Sequence, residues 1–194
     1  MSIPKEPRQQ MINMMYLVLT ALLALNISAE ILNAFYMVRD GIDDTISAID
    51  QKNNITYAQI NTQFDRNPDK AKVAYEKANQ ARLIADEMYQ YIVATEKDII
   101  DQSGGFAEGK EAERILKEPK NLDTPTNVML NQKKGDALQA KINDTRKQFI
   151  ELLGITEEDP FAKQLSLIAE DPPKSAEHGS RTWAQKNFEM VPFL

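Results

Sequence analysis

The sequence predicts an all-α protein, a single N-terminal transmembrane helix followed by an up-and-down helical bundle. Three observations carry this. Residues 11–29 read MINMMYLVLTALLALNISA, nineteen residues without a formal charge. A helix of that length is about 28 Å long, close to the roughly 30 Å of a bilayer's hydrocarbon core. Beyond it, apolar residues recur in alternating steps of three and four, the period of a helix face. The breaks between these runs carry helix caps, such as Asn67-Pro68-Asp69 and Gly154.

The boundaries follow in order. Residues 1–10 form a short cytoplasmic N-terminus, 11–30 the membrane helix and 31–194 the bundle domain. Lys5 and Arg8 precede the span, and short flanks rich in Lys and Arg stay cytoplasmic. The competing reading of a cleaved signal peptide fits less well. Its apolar core runs about 7 to 15 residues before a small-x-small site, whereas here Ile31, Leu32, Phe35 and Val38 resume the helical pattern after Ser28-Ala29-Glu30.

Residues 30–47 keep apolar positions at 31, 35, 38, 42 and 46, so the helix is expected to extend outward past Gly41. Residues 51–67, polar and rich in Asn, read as a connection. Pro68 to Gln102 reads as the clearest soluble helix, ended by Ser103-Gly104-Gly105. Its expected seam is Ala74, Ala78, Ala81, Ala85, Met88, Ile92, Thr95 and Ile99. A shorter helix is expected over Ala107 to Lys117, stopped by Pro119. Another long helix covers Lys134 to Leu153, with Leu138, Ile142, Thr145, Phe149 and Leu152 on one face and Gly154 as C-cap. A helical turn over Phe161 to Ile168 precedes the Asp171-Pro172-Pro173 break. A last helix starts near Thr182-Trp183, with Trp183 and Phe188 as core anchors. The apolar, uncapped ending Val191-Pro192-Phe193-Leu194 reads as a boundary inside a longer protein.

The net charge is −6, and Lys5 and Arg8 balance Glu6 and Glu30, so the whole acidic excess lies beyond residue 30. Such a domain lacks the basic face that nucleic acid requires. Without cysteine, disulfides contribute nothing. Gly104 to Glu111 matches GxxxxGK but puts Glu where Ser or Thr would hold magnesium, and a charged helix, not a buried strand, precedes it. A Gly-rich turn is the better reading. His178, the single histidine, has no cysteine or second imidazole to complete a zinc site and no catalytic set around it. It reads as an exposed loop residue. The residues suggest no enzyme, metal or cofactor.

The span is different, because polar groups in lipid point to a partner helix or a hydrated cavity. Asn13, Tyr16 and Thr20 lie on one stripe. Thr20, Ala24 and Ser28 form a small-xxx-small line that admits a close neighbour. Arg8 is either a snorkelling orientation signal or the partner of a carboxylate on a neighbouring membrane subunit. Tyr16 is alternatively an interfacial aromatic. Glu30 sits at the outer end, either as a polar site lining an exit route or as an ordinary helix-end carboxylate.

The run from Pro7 to Asn26, PRQQMINMMYLVLTALLALN, resembles the N-terminal signature of the GldM/PorM family. That family forms the inner-membrane motor of the Bacteroidetes type IX secretion and gliding-motility machinery. Thr182 to Glu189 and Pro192 resemble the last helix of the family's first periplasmic domain. The resemblance implies a single-pass inner-membrane protein, N-terminus cytoplasmic and bundle periplasmic. It implies a homodimer whose two helices sit in a ring of the integral membrane partner GldL/PorL, about five subunits as expected for the family, in which proton flow drives rotation. It also implies further C-terminal domains reaching outer-membrane-associated components. Arg8 and Tyr16 match the family's partner-facing polar positions, the Arg meeting an acidic residue of the partner.

The residues add one constraint. Between Pro7 and Ala29 the chain has no Asp, Glu, Lys or His, and Arg8 is its only charge. The proton-binding carboxylate of such a motor must come from the partner, with Arg8 as its counter-charge. Two readings from other classes compete with the motor. One is a sensory receptor with an extracytoplasmic bundle, which would need a second span. The other is a passive scaffold, indifferent to Arg8 and Tyr16.

Overall fold

The structure is a computed structural model. It describes residues 7–111, 114–174 and 179–191, with the backbone alone for residues 22–29. It is all-α. Six α-helices are described: α1 Pro7–Arg66, α2 Pro68–Gln102, α3 Asp123–Thr126, α4 Lys134–Leu153, α5 Pro160–Gln164 and α6 Trp183–Phe188, with a π-helical turn, Asn127–Asn131, between α3 and α4. The chain divides into two units at Ala48–Ile49.

The first unit is the N-terminal part of α1, residues 7–48. Its large side chains from Met11 to Leu19 are all exposed. Farther along, Leu32, Tyr36 and Arg39 are half-buried, while Ile31, Phe35, Val38, Ile42 and Ile46 stay exposed. Among the described residues, no helix is long and apolar enough to cross a membrane. The second half of the apolar run, 22–29, is among the residues whose side chains are not described.

In the second unit α1 continues to Arg66 and turns at Asn67 into α2. The expected connection over 51–67 is therefore mostly helix. Tyr57, Ile60 and Phe64 are half-buried at steps of three and four, a seam that the surrounding Asn and Gln residues obscure. Phe64 stacks on Tyr75 of α2 with ring centroids 4.2 Å apart. The Arg82 guanidinium lies 5.3 Å from the centroid of the Tyr57 ring. The threonines hide their polarity as well. The hydroxyls of Thr20, Thr45, Thr56 and Thr62 each donate to a carbonyl four residues back, at 2.8–3.0 Å.

Helix α2 begins at Pro68, with Asp69 in its first turn, but Asn67 makes no side-chain capping bond. Its inward stripe also differs from the expected one. Met88, Thr95 and Ile99 are buried, whereas Ala74, Ala85 and Ile92 are exposed. Tyr75 and Tyr91 take half-buried places instead, Tyr75 through its stacking on Phe64. Helix α4 runs antiparallel to α2, held by the ion pairs Glu87–Lys141 and Asp98–Lys134. It ends at Gly154, left-handed at φ 70°.

The expected helix over Ala107–Lys117 does not form. Gly104, Gly105 and Gly109 take positive φ, as does Arg114, and the chain folds back on itself. Ala107 N–H donates to Ile115 O at 2.8 Å and Lys117 N–H to Gly105 O at 3.0 Å, around an isolated bridge between Phe106 and Leu116.

The core sits where the π-helical turn meets α2, α4 and α6. Val128 and Met129 are fully buried against Ile99, with Leu138 and Phe188 packed around them. Thr182 and Gln185 form a capping box for α6. Trp183 and Phe188 meet edge to face at 5.6 Å, both half-buried, but the fully buried residue of α6 is Ala184. Ala184 lies so close to Gly135 that a Cβ there would stand 2.8 Å from the Ala184 Cβ and 2.8 Å from the Met129 carbonyl oxygen. Helix α5 is shorter than the expected 161–168 turn, and the chain beyond it straps across α4. Asn143 exchanges two hydrogen bonds with the Ala169 backbone, at 2.8 and 3.1 Å. Arg146, with its side chain 11 % exposed, donates to Leu165 O at 2.7 Å and Ala162 O at 2.8 Å.

Candidate partner-facing site on the first helix

Arg8, Asn13, Tyr16, Thr20 and Glu30 all lie on α1, exposed. At about 100° per residue, Asn13, Tyr16 and Thr20 fall within a sector of about 60°, while Arg8 lies about 80° from Tyr16 and about 12 Å along the axis. The helix thus gathers the three polar residues on one face and sets the charge to the side and below. The Thr20 hydroxyl donates to the Tyr16 carbonyl at 2.8 Å, so it presents a methyl group outward. Ala24 and Ser28 are in the helix, but their side chains lie outside the described residues, as does all of His178.

The surroundings of this stripe are apolar. Met11, Ile12, Met14, Met15 and Val18 line a shallow hollow centred on the opposite side of the helix. The eight large residues from Met11 to Leu19, Asn13 excepted, are between 36 % and 75 % exposed. Covering such side chains is worth about 1.5–3 kcal/mol each. Leaving eight of them in water would therefore cost roughly 10 kcal/mol or more, as much as the stability of a whole domain. This surface requires an apolar neighbour.

One polar feature of α1 escaped the sequence reading. The Arg39 guanidinium sits 5.0 Å from the Tyr36 ring centroid. The Tyr36 hydroxyl is buried with no hydrogen-bond partner. Its burial raises the phenol's pKa, and the neighbouring Arg39 charge partly offsets this. The Tyr-x-x-Arg spacing was the available signal. Nucleotide binding at Gly104–Glu111 gains no support, since the glycines serve a fold-back loop after a helix. No group of three or more metal-ligating side chains occurs among the described residues.

In comparisons with known proteins, residues 30–194 match the family model described as the GldM N-terminal domain. No curated protein matches the chain.

Proposed function

Because the chain belongs to the GldM N-terminal-domain family, a component of the type IX secretion and gliding machinery, we propose that it is a subunit of a proton-driven rotary motor. In this reading residues 11–30 cross the inner membrane once, with Arg8 on the cytoplasmic side and residues 31–194 in the periplasm. Two copies form an axle inside a ring of about five GldL/PorL subunits, as the family resemblance implies. The periplasmic part passes motion toward outer-membrane components of the same system.

The observation that carries this is the uncovered apolar surface from Met11 to Leu19. It needs lipid or a partner helix, and it is interrupted by Asn13, Tyr16 and Thr20 on one side only. Thr20, Ala24 and Ser28 supply the close approach between helices. Asn13 and Tyr16 face the ring, and Glu30 closes the stripe at the periplasmic end.

Charge sets the division of labour. The span has no carboxylate of its own, so the ring subunit binds and releases the proton. Arg8 favours the ionised form of that carboxylate by attraction in a low-dielectric setting. Protonation cancels the attraction and frees the axle to turn. Two identical helices in an odd-numbered ring never satisfy all contacts equivalently, so successive orientations have similar energies.

The test is Arg8→Ala in the full-length protein. Gliding or secretion is lost, while co-purification with the ring subunit persists. Full activity in this variant would remove Arg8 from the mechanism and favour the passive scaffold.

A further inference from the structure

Helix α2 carries a second stripe, about 100° round the helix from the one that Met88, Thr95 and Ile99 bury. Tyr75, Ala78, Arg82, Ala85, Tyr89 and Val93 follow one another along it at steps of three and four. Only its first half is covered. Tyr75 and Ala78 are half-buried, Tyr75 stacked on Phe64 of α1, and Arg82 lies over the Tyr57 ring. Beyond that contact the cover stops. Ala85 is exposed, and Tyr89 is 61 %, Ile92 45 % and Val93 36 % exposed.

The cause lies on α1. Its face toward α2 consists of Phe64, Ile60 and Tyr57, and the same steps carried back along the helix reach Asn53 and Asp50. In an antiparallel hairpin counted from the Tyr57–Arg82 contact, Asn53 falls opposite Asp86 and Asp50 opposite Tyr89. An amide and a carboxylate pressed against apolar side chains would lose water without gaining a partner. The helices leave instead an open cleft of about 300 Å³, lined by Asp50, Asn53, Asn54, Tyr57, Arg82 and Asp86 among others.

We infer that this cleft docks a basic amphipathic helix of a partner protein, a role separate from that proposed for residues 11–30. The apolar side of the partner helix lies on Ala85, Tyr89, Ile92 and Val93. A Lys or Arg from it enters between Asp50 and Asp86.

Charge selects this occupant. From Leu83 to Val93, α2 has two acids, Asp86 and Glu87, and no base, and Glu87 is paired with Lys141 of α4. Arg82 is held on the Tyr57 ring and stands 3.9 Å from Asp86, which leaves Asp50 to be matched from outside. Lys52, the one base of α1 between Ile49 and Tyr57, lies about 110° round the helix from the face toward α2. The Asn53 and Asn54 carbonyl oxygens add acceptors for an ammonium or guanidinium. An anionic lipid surface would be repelled here, and a second copy would bring another chain of net charge −6.

The test uses the full-length protein in nanodiscs of zwitterionic lipid. The probe is a fluorescent helical peptide of Leu and Lys, about 18 residues long, with its leucines on one face. Its anisotropy is expected to show saturable binding that empty nanodiscs lack. Binding should weaken at least about tenfold in Asp50→Lys/Asp86→Lys, and about tenfold in Tyr89→Ser/Val93→Ser. Glu108→Lys/Glu158→Lys, the same change of charge at exposed acids elsewhere, should leave it within about twofold. Circular dichroism checks the helix content of each variant, and Asp50→Asn/Asp86→Asn, which keeps side-chain size, should weaken binding about threefold. Equal weakening in the control pair, or equal binding of the same peptide with Glu in place of Lys, overturns the inference. In cells, a photo-crosslinking side chain at Asn53 should join the chain to a Lys- or Arg-rich helical segment of another protein, mapped by mass spectrometry. That product should disappear on Asp86→Lys. A product with lipid or with a second copy, or no product, also overturns the inference.

Discussion

Replacing Gly135 by alanine tests the packing of α6 on the π-helical turn more sharply than any large-to-small change. The position has ordinary helical φ, and alanine favours a helix over glycine by up to about 1 kcal/mol. Local propensity therefore predicts stabilisation. Packing predicts the reverse. The added Cβ would lie 2.8 Å from both the Ala184 Cβ and the Met129 carbonyl oxygen. Neither atom belongs to a flexible side chain, so a helix must shift. Overpacking of this kind costs about 1–3 kcal/mol. Taking the upper end for two rigid contacts leaves a net loss of about 2 kcal/mol. For a chain of this size, that lowers Tm by about 4–8 °C. Far-UV circular dichroism of the full chain in detergent during heating measures it. An unchanged or higher Tm would falsify the close approach of α6 to α4.

Two further perturbations address the strap across α4. Arg146→Ala removes the donors to the Leu165 and Ala162 carbonyls and is expected to cost about 2–4 kcal/mol. Amide exchange over residues 165–171 should then quicken, and unchanged protection there would refute the bracing role. Asp171 accepts the Trp183 N–H at 2.7 Å and the Gln139 amide at 3.1 Å, bonds that lower its pKa with only slight opposition from burial. Its folded pKa lies below the unfolded one, near 3.9. Its stabilisation is therefore present above that pH and lost as pH falls through the folded value. Asp171→Ala should lower Tm at neutral pH, with the difference closing below about pH 4. A difference that does not vary with pH would show that the carboxylate charge plays no part.

What was legible in the sequence was whatever local chemistry determines. Pro68, Gly154 and Thr182 mark their helix ends without reference to the rest of the chain. Residues 51–66 were misread because Asn and Gln on the outer face outnumber Tyr57, Ile60 and Phe64 on the inner one. The loop after α2 was misread because helical spacing in its apolar residues competes with three left-handed glycines. Phe106–Leu116 pairing, a tertiary event, decides between them. Val128 and Met129, the largest fully buried side chains among the described residues, lie in a stretch too short to show a period. The polar residues of the candidate site were readable throughout, since they stand out against an uncharged run. Tyr36 was readable only in part: the Tyr-x-x-Arg spacing marks its contact with Arg39 but not the burial of its hydroxyl.

In the proposed motor, the threonines of α1 would bear on how the helix moves past its neighbours. A hydroxyl spent on its own backbone, as at Thr20 and Thr45, turns a nominally polar side chain into a methyl-bearing one. Contacts made by methyl groups are weak and direction-independent. A turning helix then gives up no hydrogen bond at those positions between one angle and the next. Friction along α1 would be low wherever threonine stands. The angles at which it pauses would be set by Arg8, Asn13 and Tyr16.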